Sequence, residues 1–527
     1  MYSGQFYALR EPAAFALSNK LSTFTTLLVL YIVAKVIYAA LLSPTKHIPG
    51  ALLSKAFGTR LTLTLLRGNK MYFAAEQHRR YGPLVEISPG YMSCDSTTAV
   101  KTVYGSHKWR KSRFYSDFAD FNGVSSLFSE TKPERAQILR RAFLPAFSRA
   151  NLVAMAPKIF SHINKFLVKL DEFEKAKKPM EVYRWTRYLT FEVVTDVGFG
   201  GEYDMISSGE LNHPFVRDFD ESVTWGVVKS VIPWADKVPD WLMGEKLTDW
   251  RAAADRTLKH AQGGLAQWRH HRLTGKDSNR VDILQRLIQH GEKYPDEKLT
   301  EQELETEIME IMLAGGDTTA TTVTYGLYEL AKNSQVQEQL RAALRDQIPD
   351  PADMTLERLE AVPYLDWTVK EMLRTHPTLP SLLERVVPAE GAQIAGYHVP
   401  GGSIIGMSAW SMNKSPDVFP DPLAFRPERF VYLLLLFLTC GQQHRSNRWE
   451  NSTPEMTANM LSFSTGPRSC VGQNLAITQT RIHIGTILRN FRVDLHPDTT
   501  PEIMRTVDNF QGKPLEDKVF LFFKRMP

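Results

Sequence analysis

The order of apolar and polar positions separates this chain into segments of different kinds. Residues 21–42 (LSTFTTLLVLYIVAKVIYAALL) are apolar all round, broken only by Lys35. A helix of that length spans about 30 Å of hydrocarbon, and Lys35 lies toward the C-terminal end, where its stem can reach outward. The run starts too far into the chain and is too long for a signal peptide, and no small-residue cleavage site follows it. Residues 1–20 read as an N-terminal tail, and Pro44 and Pro49 as a hinge over 43–50 that stops the helix. Beyond it, the pattern becomes amphipathic. Thr300 with Glu303 forms a capping box, and Leu304, Ile308, Ile311 and Met312 keep helical spacing, which predicts one long helix from Thr300 to about Asn333. After Pro363, a further helix places Glu371 and Arg374 on one face, three residues apart. No linker composition and no repeat interrupts 51–527, so one large, mainly helical domain is expected.

One segment breaks the pattern. Residues 430–448 (FVYLLLLFLTCGQQHRSNR) contain an apolar stretch too short to span a membrane and too apolar for an exposed loop. Two readings stand side by side: an insertion, or an intron retained in the coding sequence. The codons of Arg429 and Phe430 can supply a GT donor, and that of Arg448 an AG acceptor in frame.

Composition narrows the class. The chain is 43% apolar with a net charge of +5 over 527 residues, ordinary for a globular protein and too mild for a dedicated nucleic-acid binder. Three cysteines (Cys94, Cys440, Cys470) are too few and too scattered for a disulfide framework, which points to a reducing compartment. Candidate chemistry then concentrates at Phe463-Ser-Thr-Gly466-Pro-Arg468-Ser-Cys470-Val-Gly472. Gly466 permits a turn closed to residues with a Cβ, and Gly472 permits close approach of a flat ligand. Arg468 sets a guanidinium beside the sulfur, within reach of a carboxylate. A helix read from Cys470 onward would place the thiol at a positive helix end and lower its pKa, while Phe463 and Leu461 keep water away. A shielded, electron-rich sulfur suits an axial haem ligand. The alternative for a lone cysteine is an inert buried thiol.

In the long helix, Ala314-Gly315-Gly316-Asp317-Thr318-Thr319 departs from good helix formers; two glycines cost about 1 kcal/mol each against alanine. The small residues let a flat group or dioxygen approach the backbone. The Thr318 hydroxyl can bond the Ala314 carbonyl and open the helix, with Asp317 beside it as a proton carrier. A helix-packing notch with a solvated Asp-Thr pair is the other reading of the same residues.

Together, the cysteine loop and the Ala314–Thr319 groove resemble those of the cytochrome P-450 family. The resemblance extends to Glu371-Met-Leu-Arg374 and to Phe425-Arg-Pro427-Glu428-Arg429, and more loosely from about residue 49 to the C-terminus. It implies the mainly α cytochrome P-450 fold with small β-sheets, preceded by a transmembrane helix. It further implies haem b with Cys470 as axial iron ligand, and Phe463, Gly466, Arg468, Gly472, Ala314 and Gly315 around the cofactor. Asp317 and Thr318 would serve proton delivery, Arg385 would hold a haem propionate, and Glu371, Arg374 and Arg429 would form a buried structural triad. The stretch Gly396–Ser403 resembles a short hairpin turning at Pro400-Gly401. More weakly placed are Arg140 and Arg141 (a propionate or the reductase), the aromatic segment 115–128, Leu379–Leu383 and Phe510-Gln511 along the pocket, and Thr195-Asp196 as a structural landmark.

The implied activity is insertion of one oxygen atom from O2 into a lipophilic small molecule. The form is microsomal and fungal, which suggests a terpenoid or polyketide secondary metabolite, or a xenobiotic. Electrons would come from NADPH through cytochrome P-450 reductase, with cytochrome b5 as a second donor. The setting would be the endoplasmic reticulum membrane, single-pass, with the catalytic domain cytosolic. The flanking charges (Lys46, Lys55 and Arg60 against Lys20 and Arg10) carry little of that orientation. On such a face the sequons at Asn413 and Asn451 stay unmodified. Two alternatives belong to other classes: a haem-thiolate isomerase or dehydratase, and a catalytically inactive haem-binding membrane protein.

Overall fold

A computed structural model describes residues 11–120, 122–275, 280–430 and 453–526. Among the described residues the body is mainly helical with four small sheets. Its axis is the helix Glu301–Lys332, opened by the expected capping box: the Thr300 side chain takes the Glu303 N–H, and the Glu303 carboxylate takes the Thr300 N–H. This central helix is apolar on several sides because it is covered on several sides, with Ile308, Met312, Val323, Leu327 and Leu330 all buried. The helices Val182–Phe199, Glu245–Leu273 and Gln473–Asn490 pack along it. Two glycines set the closest approach. A Cβ on Gly315 would overlap Val194, and one on Gly316 would overlap the Phe191 ring. The Gly315-Gly316 pair therefore seats the helix Val182–Phe199, as the packing-notch reading has it. The helix itself is continuous across the Thr318–Ala314 bond rather than opened.

The four-stranded sheet has the order Leu84–Ser88, Tyr91–Cys94, Ile404–Gly406, Arg385–Val386. Beside it, Ala392–Ile394 and Tyr397–Val399 form the expected hairpin, but it turns elsewhere. Ile394 pairs with Tyr397, so the turn is Ala395-Gly396, both at positive φ (47° and 86°). Pro400-Gly401-Gly402 instead carries the chain out of the hairpin toward Ile404–Gly406. A two-residue hairpin loop of this kind has left-handed residues at both central positions, and proline, with φ fixed at about −65°, cannot take the first.

Among the described residues the first helix covers Glu11–Ile37, so it includes part of the expected tail, and a π-helical turn Tyr38–Leu42 follows. Ser22–Leu42 is long and apolar enough to cross a membrane, with mean hydropathy 2.1 and almost none of it covered by the body. The segment 43–50 is docked rather than a free hinge. Glu86 accepts a hydrogen bond from Thr45 Oγ1 at 2.8 Å, and the Glu86 N–H donates to the Pro49 carbonyl at 2.8 Å. Lys55 is buried there, donating to the Ile48 carbonyl and pairing with Glu86 at 3.4 Å, so it is not a membrane-flanking cation. Of the anomalous segment, 431–448 lies outside the described residues, as do Cys440 and the Asn451 sequon.

Candidate active site

The cysteine loop is built by two short 3₁₀ turns, Leu461–Phe463 and Gly466–Arg468. Gly466 has φ +72°, and a Cβ there would overlap the Tyr104 carbonyl, so glycine is required twice over. The Ser469 N–H donates to the Gly466 carbonyl at 3.0 Å, and the Cys470 N–H to the Phe463 carbonyl at 2.9 Å. These bonds close the loop and aim the Cys470 side chain into a large cavity, about 1810 Å³ of atom-free space partly continuous with solvent. The exposure of Cys470 is exposure to this cavity, since protein packs around it elsewhere.

The following helix begins at Gln473, with Gly472 as its N-cap, so Cys470 precedes the helix instead of opening it. Accordingly the helix end does not bring the thiol pKa down on balance. Burial pushes it up, while the Gly472 N–H and the positive charges of Arg140 and Lys111 pull the other way. Such a sulfur becomes a thiolate when a cation, such as a metal ion, binds it.

The central helix also contributes to the lining: Ala314, Gly315, Thr318 and Thr319 border the cavity, and Thr318 Oγ1 donates to the Ala314 carbonyl at 2.7 Å. Asp317 does not line it. Its carboxylate accepts from Arg187 Nε at 2.5 Å, and Arg187 also grips Asp220 on the helix Pro214–Val231. Burial raises the Asp317 pKa, and Arg187 opposes that rise. The expected proton carrier is therefore held in an ion pair on another side of the helix from Thr318.

Four cations, Lys111, Arg140, Arg385 and Arg468, line the cavity, and among the described residues none of them forms an ion pair. Arg468 donates to the Glu130 carbonyl at 2.7 Å, not to a carboxylate. Arg140 donates to the Ser469 carbonyl at 2.6 Å, Lys111 to the Phe128 carbonyl at 2.6 Å, and Arg385 to the Glu384 carbonyl at 2.8 Å. Burial and mutual repulsion depress Lys111 well below its usual range and bring Arg468 down to about 10. Buried like charges without counterions fit a ligand that brings anions. A Cβ on Gly472 would lie 3.9 Å from Cys470 Sγ, an ordinary contact, so no atom of the protein demands glycine there. The missing side chain leaves room for a ligand beside the sulfur. Thiol, bare glycine and cation cluster together fit haem and its two propionates.

Behind the loop, Glu371 accepts Arg374 Nε and Nη2 at 2.7 and 2.8 Å and Arg429 Nε at 3.0 Å, all three side chains buried. Asn413, the first sequon, is fully buried; its carbonyl accepts from Arg374 at 3.0 Å and its side chain takes the Leu461 N–H at 2.8 Å. The pocket segments also converge: Tyr115, Phe118, Phe128, Leu379, Leu383 and Phe510 line the cavity. Arg141 pairs instead with Glu297 on the surface, and Asp196 binds His162, Lys158 and Arg280 away from the cavity. Lys111, Arg187, Glu307 and Glu310 escaped the sequence reading. Only Glu310 carried a signal, standing four and eight residues before Ala314 and Thr318 on one helical stripe.

The family model of cytochrome P-450 matches residues 55–519. Among curated proteins, the chain is 24% identical over 466 residues to the cytochrome P-450 monooxygenase tazI of Aspergillus terreus (88% of this chain, 90% of the relative). It is 27% identical over 473 residues to aclL of Aspergillus oryzae (89% and 91%) and 26% over 491 residues to tpeC of Talaromyces stipitatus (89% and 88%), both also named cytochrome P-450 monooxygenases. A cavity with a cysteine floor, a threonine wall and unpaired cations is thus matched across most of the chain, which belongs to the cytochrome P-450 family and is an oxidoreductase of its monooxygenase class.

Proposed function

We propose that this enzyme inserts one oxygen atom from O2 into a lipophilic small molecule, with electrons from NADPH delivered by a membrane-bound reductase, as a tailoring step of fungal secondary metabolism. The observation that carries the reading is that Cys470 and Thr318 both line one largely apolar cavity. Haem, held through Cys470 with Arg140, Arg385, Arg468 and Lys111 around its propionates, would supply the activation of dioxygen. The rest falls to the chain. The Phe463 ring and Leu461 keep water from the sulfur side. Thr318 holds a hydroxyl at the cavity surface through its bond to Ala314 and can position a water for proton transfer. Asp317 can join that relay only when its hold on Arg187 loosens. The aromatic segment around Tyr115, Phe118 and Phe128, with Leu379 and Phe510, would enclose the substrate.

Residues 22–42 would anchor the enzyme in the endoplasmic reticulum membrane with the body, from residue 51 onward, on the cytosolic face; the uncovered apolar helix supports this. Relatives of the same form carry the monooxygenase name in Aspergillus and Talaromyces. The test is spectroscopic. The reduced, CO-treated holoprotein should show the thiolate-type band, and Cys470→Ser should lose it because a neutral hydroxyl cannot supply the ligand charge. A variant that binds haem and keeps the band would remove Cys470 from the axial role.

A further inference from the structure

Two acids stand in the cavity with no part in the chemistry above. Glu307 and Glu310, one turn apart on the central helix, both line it. Glu307 is 1% exposed; its Oε1 accepts the Leu127 N–H at 2.8 Å, and its Oε2 has no hydrogen-bond partner. Glu310 has one long contact, from Ser126 Oγ at 3.3 Å. Among the described residues neither forms an ion pair, although four cations share the cavity.

Burial pushes Glu310 up to about 8 and Glu307 well above its usual range. The charged and titratable groups that face Glu310 are Lys111, which lowers its pKa, Asp120, which raises it, Glu307 and the Cys470 thiol; those that face Glu307 are Glu310, Glu303 and Arg135. A buried carboxyl oxygen without a partner is destabilising. Tethering the Leu127 N–H needs one acceptor, so it explains neither the second oxygen of Glu307 nor a second acid beside it.

The surroundings say what would fit. Phe118, Phe128 and Phe510 stand together at this cavity, with Phe118 and Phe510 centroids 4.9 Å apart; Lys111 Nζ already lies 4.5 Å from the Phe128 centroid, so the rings left for a ligand are Phe118 and Phe510. Aromatic faces and carboxylates together suit an organic cation. Position along the helix supplies a length. Glu310, Ala314 and Thr318 share one stripe, and eight residues span about 12 Å of axis.

Resting on the monooxygenase reading, we infer that Glu307 and Glu310 form the recognition site for a cationic nitrogen on the lipophilic substrate, and that oxidation falls on a carbon on the order of 10 Å from that nitrogen. The cation pairs with Glu310 as its carboxyl releases a proton to solvent, and the free oxygen of Glu307 completes the contact. The apolar remainder of the substrate extends along Ala314 toward Thr318.

The test uses full-length holoenzyme and two probes that differ in charge alone: a phenylbutyl trimethylammonium ion, which cannot ligate iron, and its carbon isostere with a tert-butyl group in place of the ammonium. Equilibrium dialysis at neutral pH should show the cation bound about tenfold more tightly or better. The preference should shrink in Glu310→Gln, vanish in the double variant with Glu307→Gln, and persist in part in Glu310→Asp. Equal binding of the two probes by the wild type, or a preference that survives the double variant, overturns the inference. Should Glu307→Gln lose haem through its Leu127 contact, Glu310→Gln alone decides: an undiminished preference there overturns the proposal. The reduced–CO band is recorded on every sample. A normal band without cation preference sinks only this inference, whereas an absent band in the wild type sinks the monooxygenase reading.

Discussion

Replacing Glu371 by alanine tests the scaffold behind the cysteine loop. The Glu371 carboxylate takes three guanidinium hydrogen bonds from Arg374 and Arg429, and its Oε1 also takes the Arg426 N–H at 2.8 Å. Removing it leaves two buried guanidinium groups without a counter-charge. Backbone carbonyls soften the loss: Arg374 also donates to Asn413, Pro422 and Ala424, and Arg429 to Pro420, Asp421 and Ala424. Breaking one side of a buried pair typically costs about 3–5 kcal/mol, against a total stability of about 5–15 kcal/mol for a domain. The damage should fall on the cofactor site, because Arg374 holds the Asn413 carbonyl while Asn413 holds Leu461 and Ser462 at the start of the cysteine loop. Glu371→Ala should therefore express with a small fraction of its haem, measured as haem absorbance per mole of protein, and with a melting temperature several degrees lower. Glu371→Gln, which keeps an acceptor, should lie between the two. Wild-type haem content and melting temperature in Glu371→Ala would refute the reasoning and reduce the triad to a dispensable bridge.

Gly466→Ala should also lose haem, since the added methyl meets the Tyr104 carbonyl and the φ of +72° is unfavourable; full haem occupancy would show that the loop relaxes freely. Thr318→Ala removes a hydroxyl and no haem contact, so the CO band should persist while product per NADPH falls and hydrogen peroxide rises, within the 10²–10⁴ range of general-acid effects; unchanged coupling would make Thr318 a packing residue. Deleting residues 2–42 should leave a chain that binds haem and gives the same CO band, though Thr45 and Lys55 must be kept for their contacts with Glu86. Failure of that shortened chain to fold would place the apolar helix in the core.

What the sequence revealed was local. A capping box needs only Thr300 and Glu303, and the loop around Cys470 needs only its own glycine and short-range bonds, so both could be read residue by residue. Long-range partners could not. Whether Gly315 and Gly316 faced a ligand or a helix depended on Val194 and Phe191, more than a hundred positions away in the chain. The same is true of Asp317, whose partner Arg187 sits on that other helix. Lys55 read as an exposed cation because nothing nearby announced Glu86. The hairpin turn was misplaced because proline and glycine at Pro400-Gly401 advertised a turn more loudly than Ala395-Gly396, which pays the cost of a left-handed alanine.

The glycine notch also bears on how such a pocket can diversify. On the central-helix wall, Gly315 and Gly316 bring backbone against the side chains of a neighbouring helix, so added bulk there must shift whole helices. Other lining residues, Tyr115, Phe118, Phe128, Leu379, Leu383 and Phe510, are side chains on loops and short elements. Bulk can be exchanged there one residue at a time, with the cost confined to the residue exchanged. New substrates are therefore reached more readily through those side chains than through the backbone of the central helix. A lineage can alter what enters the cavity many times over without disturbing where the reaction takes place.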